Sequence, residues 1–251
     1  MTPDGPATVE GVTTPPITVE IAVQDAGGAR HAIAAGADRL ELCQGLETGG
    51  LTPSIGLVEA VCEAVDPALV NVLVRPRGGG FVYSDEEVAL VAADIRAVTA
   101  RGVGGVVVGA LTSHGHLDLE ALARWRDAAG SAALIFHRAI DASPVPDAVF
   151  DALGAAGVSR VLTSGGAARS VEGIARLTAY VERAHGVEVM AGGGVAPADI
   201  PALRRAGVGA VHLSARRRAG RDVPSGPGGG AGGHDVTDAE IVTAAVVAAR
   251  S

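Results

Sequence analysis

The sequence predicts an α/β fold of the (β/α)8 class, the TIM barrel. Short apolar strands alternate with amphipathic helices, a glycine usually separates each helix from the next strand, and this unit can be placed eight times. Strands such as residues 69–74 and 105–111 are apolar on both faces, as expected for parallel strands that are covered on both sides. A doubly wound open sheet shares these signals, but the count of eight favours the barrel.

Length and composition are those of one domain with a large core. The 251 residues are 48% hydrophobic and 19% charged, with a net charge of −8. We expect a disordered leader over residues 1–16 and a single barrel domain over residues 17–251. There is neither a membrane-length apolar run nor a signal peptide, which predicts a cytoplasmic protein without a membrane partner. The interspersed charges argue against a nucleic-acid partner.

The basic residues exclude one class of chemistry. All 20 are arginine, and the chain contains no lysine. Enzymes that form a Schiff base through a lysine amine, such as lysine-dependent aldolases and pyridoxal-phosphate enzymes, are therefore excluded. The two cysteines, Cys43 and Cys62, give neither a disulfide framework nor a Cys-x-x-Cys metal motif.

The eight strands are predicted near residues 17–22, 39–42, 69–75, 105–109, 132–138, 159–163, 188–191 and 210–213. Six of the helix-to-strand junctions begin with a glycine, which supplies the left-handed residue that ends a helix. After the second strand, Thr52 and Pro53 are expected to open a helix as cap and first residue. A final helix is predicted over residues 238–250, after a glycine-rich segment at 219–233. That segment is expected to be a flexible loop, either a lid or an insert without a role.

Four side chains are candidate catalytic residues, because the active site of such a barrel lies at the carboxyl ends of the strands. Strand alternation predicts that Glu20, Glu41, His137 and Asp141 face inward there. A buried carboxylate is costly unless it is paired, so the alternative is a structural salt bridge to Arg75 or Arg138. Converging acidic and basic groups at strand ends favour the catalytic interpretation.

A second set of residues suits an anionic substrate. The guanidinium fork matches a carboxylate or phosphate, and glycine-rich loops after the later strands can present backbone N–H groups to an anion. The predicted anion-binding residues are Arg75, Arg77, Arg138, Ser164, Gly165, Gly193, Gly194 and Ser214.

The other histidines carry weaker signals. His114 and His116 lie in a Ser/His/Gly/Asp stretch without a third ligand, which predicts a surface loop rather than a metal site. His212 alternates with apolar neighbours in the last predicted strand, and the sequence leaves it open between core and site.

Several long motifs resemble the CutC family, whose members are labelled copper homeostasis proteins. The motifs are ADRLELC followed by GGLTPS, VRPRGGGFVYSDEE, FHRAID, RVLTSG, and MAGGGV followed by VHLSA, and together they span about residues 20–215. The resemblance implies a cytoplasmic (β/α)8 barrel with a copper ion as its partner. It carries barrel-mouth residues over to Glu20, Glu41, Cys43, Arg75, Arg77, His137, Arg138 and Asp141.

Three functions remain open at this point. The first is copper(I) binding, with Cys43 as the central ligand and His137 or Met190 assisting, since copper(I) prefers sulfur ligands. The second is an acid–base enzyme, a lyase or epimerase that acts on a phosphorylated or carboxylated metabolite with a divalent metal held by the carboxylates and His137. The third and weakest is an oligomeric scaffold, so a homo-oligomer is a further expectation.

Overall fold

The computed structural model of the chain describes residues 16–220 and 232–251. Eight parallel strands follow one another around a closed barrel, and the first strand pairs with the eighth as well as with the second. The predicted (β/α)8 barrel is confirmed, and the closed sheet excludes the open-sheet alternative. Residues 1–15 of the predicted leader and residues 221–231 of the glycine-rich segment lie outside the described residues.

The barrel strands lie close to their predicted positions. They are β1 (Thr18–Val23), β2 (Arg39–Leu42), β3 (Val70–Leu73), β4 (Gly105–Val108), β5 (Ala133–Phe136), β6 (Arg160–Thr163), β7 (Glu188–Gly192) and β8 (Ala210–Leu213).

One helix follows each barrel strand except β5, which is followed by two. The helices are α1 (Ala26–Ala34), α2 (Ile55–Ala64), α3 (Asp85–Thr99), α4 (Leu119–Ala129), α5 (Ala139–Ala142), α6 (Pro146–Leu153), α7 (Ile174–Glu182), α8 (Ile200–Arg205) and α9 (Ala239–Arg250). Single 3-10 turns occupy Leu46–Thr48, Pro67–Leu69 and Pro197–Asp199. Within the described residues, no helix is both long enough and apolar enough to span a membrane.

The start of α2 corrects one expectation. Ser54, not Thr52, caps this helix, and its hydroxyl accepts a hydrogen bond from the Leu57 backbone N–H. Thr52 instead accepts from the Arg75 backbone N–H at 2.9 Å and donates to the Arg75 carbonyl at 3.0 Å. These two bonds join the loop after β2 to the end of β3, so Thr52 shapes the rim of the barrel rather than a helix.

Two more strands follow the barrel. Strand β9 (Arg216–Ala219) pairs antiparallel with β10 (His234–Thr237), between β8 and α9. The first residue of the predicted flexible loop, Ala219, therefore belongs to a strand. The Asp238 carboxylate caps α9 by accepting hydrogen bonds from the backbone N–H groups of Glu240 and Ile241, which confirms the final helix.

Alternation along the strands separates two environments. Outward-facing residues such as Ile21, Leu40 and Leu42 pack under the helices in one continuous core. Glu20 on β1 and Glu41 on β2 occupy the alternate, inward-facing positions, and both are buried inside the barrel. Because a side chain in the barrel touches residues from several strands, these buried polar groups can meet across long sequence separations.

Candidate functional site

A cavity of about 240 Å³ opens at the carboxyl ends of the strands. Its position is the one that the fold class predicts for an active site. It is lined by Ala22, Glu41, Leu46, Gly49, Leu73, Arg75, Phe81, His137, Arg138, Leu162, Gly193, Gly194, Val195, His212, Leu213 and Ser214. Seven of the predicted site residues therefore line one cavity: Glu41, Arg75, His137, Arg138, Gly193, Gly194 and Ser214.

Glu20 lies deeper in the barrel and is fully buried. Its Oε2 accepts hydrogen bonds from Arg39 Nε at 2.9 Å and from Asn71 Nδ2 at 2.9 Å. Its Oε1 lies 3.0 Å from His212 Nδ1. The suggested salt bridge to Arg75 or Arg138 is thus replaced by one to Arg39, because β1 and β2 are neighbours whose register places Glu20 beside Arg39.

Further charges continue below Glu20. Glu188 pairs with Arg160 and also accepts from Arg39 Nη2 at 3.1 Å. Arg160 Nη1 lies 3.9 Å from Glu20 Oε2. We name Glu20, Arg39, Asn71, Arg160 and Glu188 the inner charge network. Its opposite charges compensate one another inside the barrel, which makes burial of these charges tolerable.

His212 joins this network to the cavity. Its Nδ1 contacts Glu20, and its Nε2 lies 3.7 Å from Glu41 Oε2. Burial lowers the pKa of His212, but the charge of Glu41 and the hydrogen bond and charge of Glu20 outweigh burial and raise this pKa overall. The two carboxyl groups therefore make this imidazole easier to protonate than an ordinary histidine.

The two carboxyl groups beside His212 differ in their proton affinity. Burial raises the pKa of Glu41 to about 7, with the charge of Glu20 adding to the rise and that of His212 opposing it. Burial acts on Glu20 as well, but the hydrogen bond and charge of His212, followed by the charges of Arg39 and Arg160, lower its pKa to about 2. Glu20 is thus a fixed charge, whereas Glu41 can exchange a proton near neutral pH.

Ligand atoms of Glu20, Glu41 and His212 all lie within 4.8 Å of one another, so this group has the spacing of a metal site. The contacts of Glu20 do not suit that use. Both of its oxygens already accept hydrogen bonds, and Arg39 and Arg160 place positive charge beside them. A cation would have to separate His212 from Glu20, so the donor set fits proton transfer better than metal binding.

His137 lies on the cavity wall and is 6% exposed. Its Nδ1 accepts a hydrogen bond from the Ala139 backbone N–H at 3.1 Å, which places the proton of a neutral ring on Nε2. Burial, and then the nearby Arg75 cation, lower the pKa of His137 to about 3. This histidine is therefore neutral at physiological pH and is not the partner of the carboxylates.

Asp141 is engaged by the loop after β6 and does not line the cavity. Its carboxylate accepts from Thr163 Oγ1 at 2.6 Å, from Ser164 N at 3.0 Å and from Gly166 N at 3.2 Å. It also accepts from Arg138 Nε at 2.8 Å. With its oxygens occupied in this way, Asp141 positions the loop and the arginine, and its predicted catalytic role gains no geometric support.

The corner around Arg138 suits an anion. Arg138 uses Nε for Asp141 and Nη2 for Ser164 Oγ at 3.1 Å, which leaves Nη1 beside Gly193. Gly193 and Gly194 have φ of +118° and +63° and follow β7 at the cavity. Consecutive glycines of this kind can present backbone N–H groups to an anion. Ser214 lines the same cavity, at the end of β8.

Ser164 and Gly165 support this corner from outside the cavity lining. Ser164 Oγ bonds the Ala167 carbonyl at 2.7 Å and lies 3.1 Å from Asp141 Oδ2. The Gly165 backbone N–H donates to Thr163 Oγ1 at 2.9 Å. Both predicted anion-binding residues are thus occupied with the protein itself.

The two predicted anion-binding arginines of the β3 end also have protein partners. Arg75 lines the cavity, but its Nη1 and Nη2 donate to the carbonyls of Gly50 at 3.2 Å and Gly79 at 2.8 Å. Arg77 does not line the cavity, because it pairs with Glu87 on α3. The structure therefore brings Arg75 to the site and leads Arg77 away from it.

Cys43 does not offer a copper(I) site. Its side chain is fully buried against Leu73, Val107 and Ile135, and burial raises the pKa of its thiol. Met190, the suggested second sulfur, belongs to a different apolar cluster and accepts from Arg39 at 3.6 Å. The Cys43 thiol thus keeps its proton and is not grouped with the Met190 thioether, so these two residues do not form the sulfur donor set that copper(I) prefers. His114 and His116 are exposed, as expected of a surface loop.

Residues 17–217 match the model of the CutC family. The chain belongs to the CutC family. A CutC family protein of Xanthomonas axonopodis pv. citri is 43% identical over 209 residues, which cover 82% of this chain and 87% of that protein. Another, of Klebsiella pneumoniae (strain 342), is 41% identical over 197 residues, covering 78% and 79% of the two chains.

A solved CutC structure shares the fold. The protein is from Streptococcus agalactiae and carries the name of a copper homeostasis protein. It is 32% identical, with a TM-score of 0.74, and the match covers 79% of this chain and 98% of that one. The sequence-based assignment to the CutC family is therefore confirmed.

Sequence reasoning missed part of the interior of this CutC barrel. Arg39, Asn71 and Arg160 were not recognised as partners of Glu20, Glu188 was not recognised as a partner of Arg39 and Arg160, and His212 was left open. A signal existed for Arg39, which shares the inward parity of Glu41 on β2. No comparable local signal shows that β8 brings His212 between two carboxyl groups.

Proposed function

We propose that this CutC chain is an enzyme that binds a small phosphorylated or carboxylated metabolite at the barrel mouth and moves a proton with Glu41. The observation that carries the proposal is a cavity whose lining combines two sets of groups with different chemistry. Glu41 and His212 form the set that we call the proton side, and Arg138 with Gly193 and Gly194 forms the set that we call the anion side. A positioned anion next to an exchangeable carboxyl group is the arrangement of an acid–base enzyme.

The anion side supplies affinity and orientation. Arg138 is held by Asp141 and Ser164, so its guanidinium is fixed before a ligand arrives. Its Nη1 and the Gly193–Gly194 turn face the same part of the cavity. A charge-assisted hydrogen bond from a fixed donor costs little ordering entropy on binding.

The proton side supplies the chemistry. Glu41, with its pKa of about 7, can accept a proton from a bound ligand and return it at neutral pH. When His212 carries a proton, its charge stabilises the ionised form of Glu41, and Glu20 holds His212 in place from below. Glu41 is the proposed catalytic residue, and His212 and Glu20 are its positioning residues.

Copper binding is the alternative that the name of the S. agalactiae relative raises for this chain. The buried Cys43 thiol and the Met190 thioether lie in different apolar clusters, so they give copper(I) no pair of sulfur donors. The cytoplasmic location and a homo-oligomeric state stay predictions.

Two glycine variants test the anion side. Gly193→Ala places a Cβ 3.0 Å from Arg138 Cζ and 3.1 Å from Ser164 Cβ, so Arg138 must move. Gly186→Ala is the matched control, because φ there is +92° but the added Cβ meets no heavy atom within 4 Å. With inorganic phosphate as the probe in isothermal titration, Gly193→Ala is expected to weaken binding by roughly 10-fold. Gly186→Ala should bind phosphate like the wild type.

Two results would contradict the proposal. One is equal phosphate affinity in the wild type and Gly193→Ala. The other is a wild-type protein whose melting temperature no phosphorylated or carboxylated metabolite raises, since a ligand that binds only the folded state must stabilise it.

A further inference from the structure

His137 carries a buried donor that the protein leaves unused. Its Nε2 has no hydrogen-bond partner, although the residue is only 6% exposed. Since Nδ1 accepts from Ala139 N, the neutral ring must carry its proton on Nε2. An N–H group buried without a partner is costly, so its presence in a residue that lines a cavity calls for an explanation.

The surroundings hold the ring in one orientation. A Cβ on Gly109 would lie 2.3 Å from Cε1 and 2.4 Å from Nδ1 of His137, so the glycine that follows β4 makes room for this edge of the ring. Phe81 packs on the ring with a centroid separation of 4.9 Å. The imidazole is therefore fixed before any ligand binds, as a preorganised donor must be.

The surroundings also keep the ring neutral. Burial and the Arg75 cation both oppose protonation, and no carboxylate is paired with His137 among the described residues. A neutral imidazole N–H donates a hydrogen bond to an oxygen without giving up its proton readily. That property suits an oxygen that gains negative charge during a reaction, such as the carbonyl oxygen of a forming enolate.

We propose that His137 donates its Nε2–H to a carbonyl oxygen of the ligand, so that the substrate is an anion with a ketone or aldehyde group beside a C–H bond. This inference rests on the proposed function, because it uses the anion corner at Arg138 and the proton acceptor Glu41. His137 and Glu41 line the same cavity.

The reaction balances within the site. The Glu41 carboxylate takes the proton from the carbon beside the carbonyl, and the electron pair of that C–H bond forms a C=C bond. The π pair of the C=O bond moves to oxygen, where the His137 Nε2–H stabilises the negative charge. Return of a proton to the same carbon restores the C=O bond and gives the starting compound or, from the opposite face, its epimer, and no oxidant or reductant is needed.

Matched ligand pairs test this inference. Acetol phosphate and n-propyl phosphate share the phosphate, and pyruvate and propionate share the carboxylate, but only the first member of each pair has the carbonyl. The wild type is expected to bind the carbonyl member of at least one pair roughly 10-fold more tightly, and to exchange its adjacent C–H for deuterium from D2O. The Nε2 resonance of His137 in ¹⁵N-histidine-labelled protein should shift with that member alone.

Two variants assign the effect to the donor. His137→Phe keeps a ring but removes the N–H, and is expected to bring the affinity ratio of the pair close to unity without changing the affinity for n-propyl phosphate or propionate. His137→Gln restores a donor and should recover part of the ratio. Because both ligands are measured on the same sample, a partly unfolded variant changes both affinities and leaves the ratio informative.

The outcomes separate this inference from the proposed function. If both members of each pair bind equally and the His137 resonance does not move, while phosphate binding still depends on Gly193, the inference is wrong and the proposed function stands. If neither inorganic phosphate nor any member of the pairs binds, both are wrong.

Discussion

The inside of the barrel has two regions that use the same kinds of residues differently. In the inner charge network, Glu20 accepts hydrogen bonds from Arg39, Asn71 and His212. Arg160 Nη1 makes no hydrogen bond there, but it lies 3.9 Å from the Glu20 carboxylate. At the mouth, the Nε2 of His137 and the Nε of Arg75 are buried without partners.

The two regions differ in whether the protein itself satisfies its buried polar groups. A buried charge whose partners come from the protein stabilises one arrangement of the strands and has little left to offer a ligand. A polar group that the fold buries without a partner is available to a ligand, at a cost to stability. The exchangeable proton of Glu41, together with unused donors on residues that line the same cavity, therefore identifies the site better than the number of charges does.

The largest effect is expected from breaking the inner charge network. Arg39→Met removes the closest cation of Glu20 and a partner of Glu188, and should lower the free energy of unfolding by about 3 kcal/mol, because it leaves buried carboxylates undercompensated. The control is Arg101→Met, which breaks a surface pair with Glu59 and should cost about 0–1 kcal/mol. Urea denaturation measures both, and equal losses would remove the distinction between the two regions.

The pH dependence of stability sharpens the comparison at Glu41. Its pKa is about 7 in the folded state against an ordinary value of 4.5, so the folded protein holds this proton more tightly than the unfolded chain. The resulting stabilisation is fully present below pH 4.5 and is lost as the pH rises through 7. It corresponds to about 3 kcal/mol at most, since one pKa unit corresponds to about 1.4 kcal/mol.

Glu41→Gln cannot ionise and should lack this loss of stability between pH 4.5 and 7. Denaturation curves across that range measure it, with the surface variant Glu59→Gln as a control that keeps the wild-type slope. A wild-type slope in Glu41→Gln as well would show that another group titrates there.

The smallest effect is expected at Cys43, whose side chain is buried inside the barrel and is not exposed at its mouth. Cys43→Ser should leave the copper(I) affinity unchanged in a titration against a competing chelator, because the buried thiol has no second sulfur donor beside it. In the folded wild type, a disulfide reagent should modify the partly exposed Cys62 and reach Cys43 only after unfolding. Stoichiometric copper binding that is lost in Cys43→Ser, but not in Cys62→Ser, would restore the copper hypothesis.

Much of the architecture could be predicted because it follows from local chemistry. Glycine at the ends of helices, such as Gly36 with a φ of +95°, and apolar strands of regular spacing predict eight βα units from the residues alone. Alternation on single strands also predicts that Glu20 and Glu41 face inward. The start of α2 was misplaced because Thr52 and Ser54 are both good caps, and only the contact of Thr52 with Arg75 distinguishes them.

By itself, the sequence determined the barrel, its family and the strand ends that carry polar groups, since these depend on patterns within one βα unit. The tertiary structure alone decided which groups meet. Closure of the barrel places β8 beside β1, so that His212 reaches Glu20 across 192 positions of the chain. The same geometry turns Arg77 toward Glu87 and leaves the Nε2 of His137 without a partner, because partners in a barrel come from neighbouring strands and loops rather than from neighbouring residues.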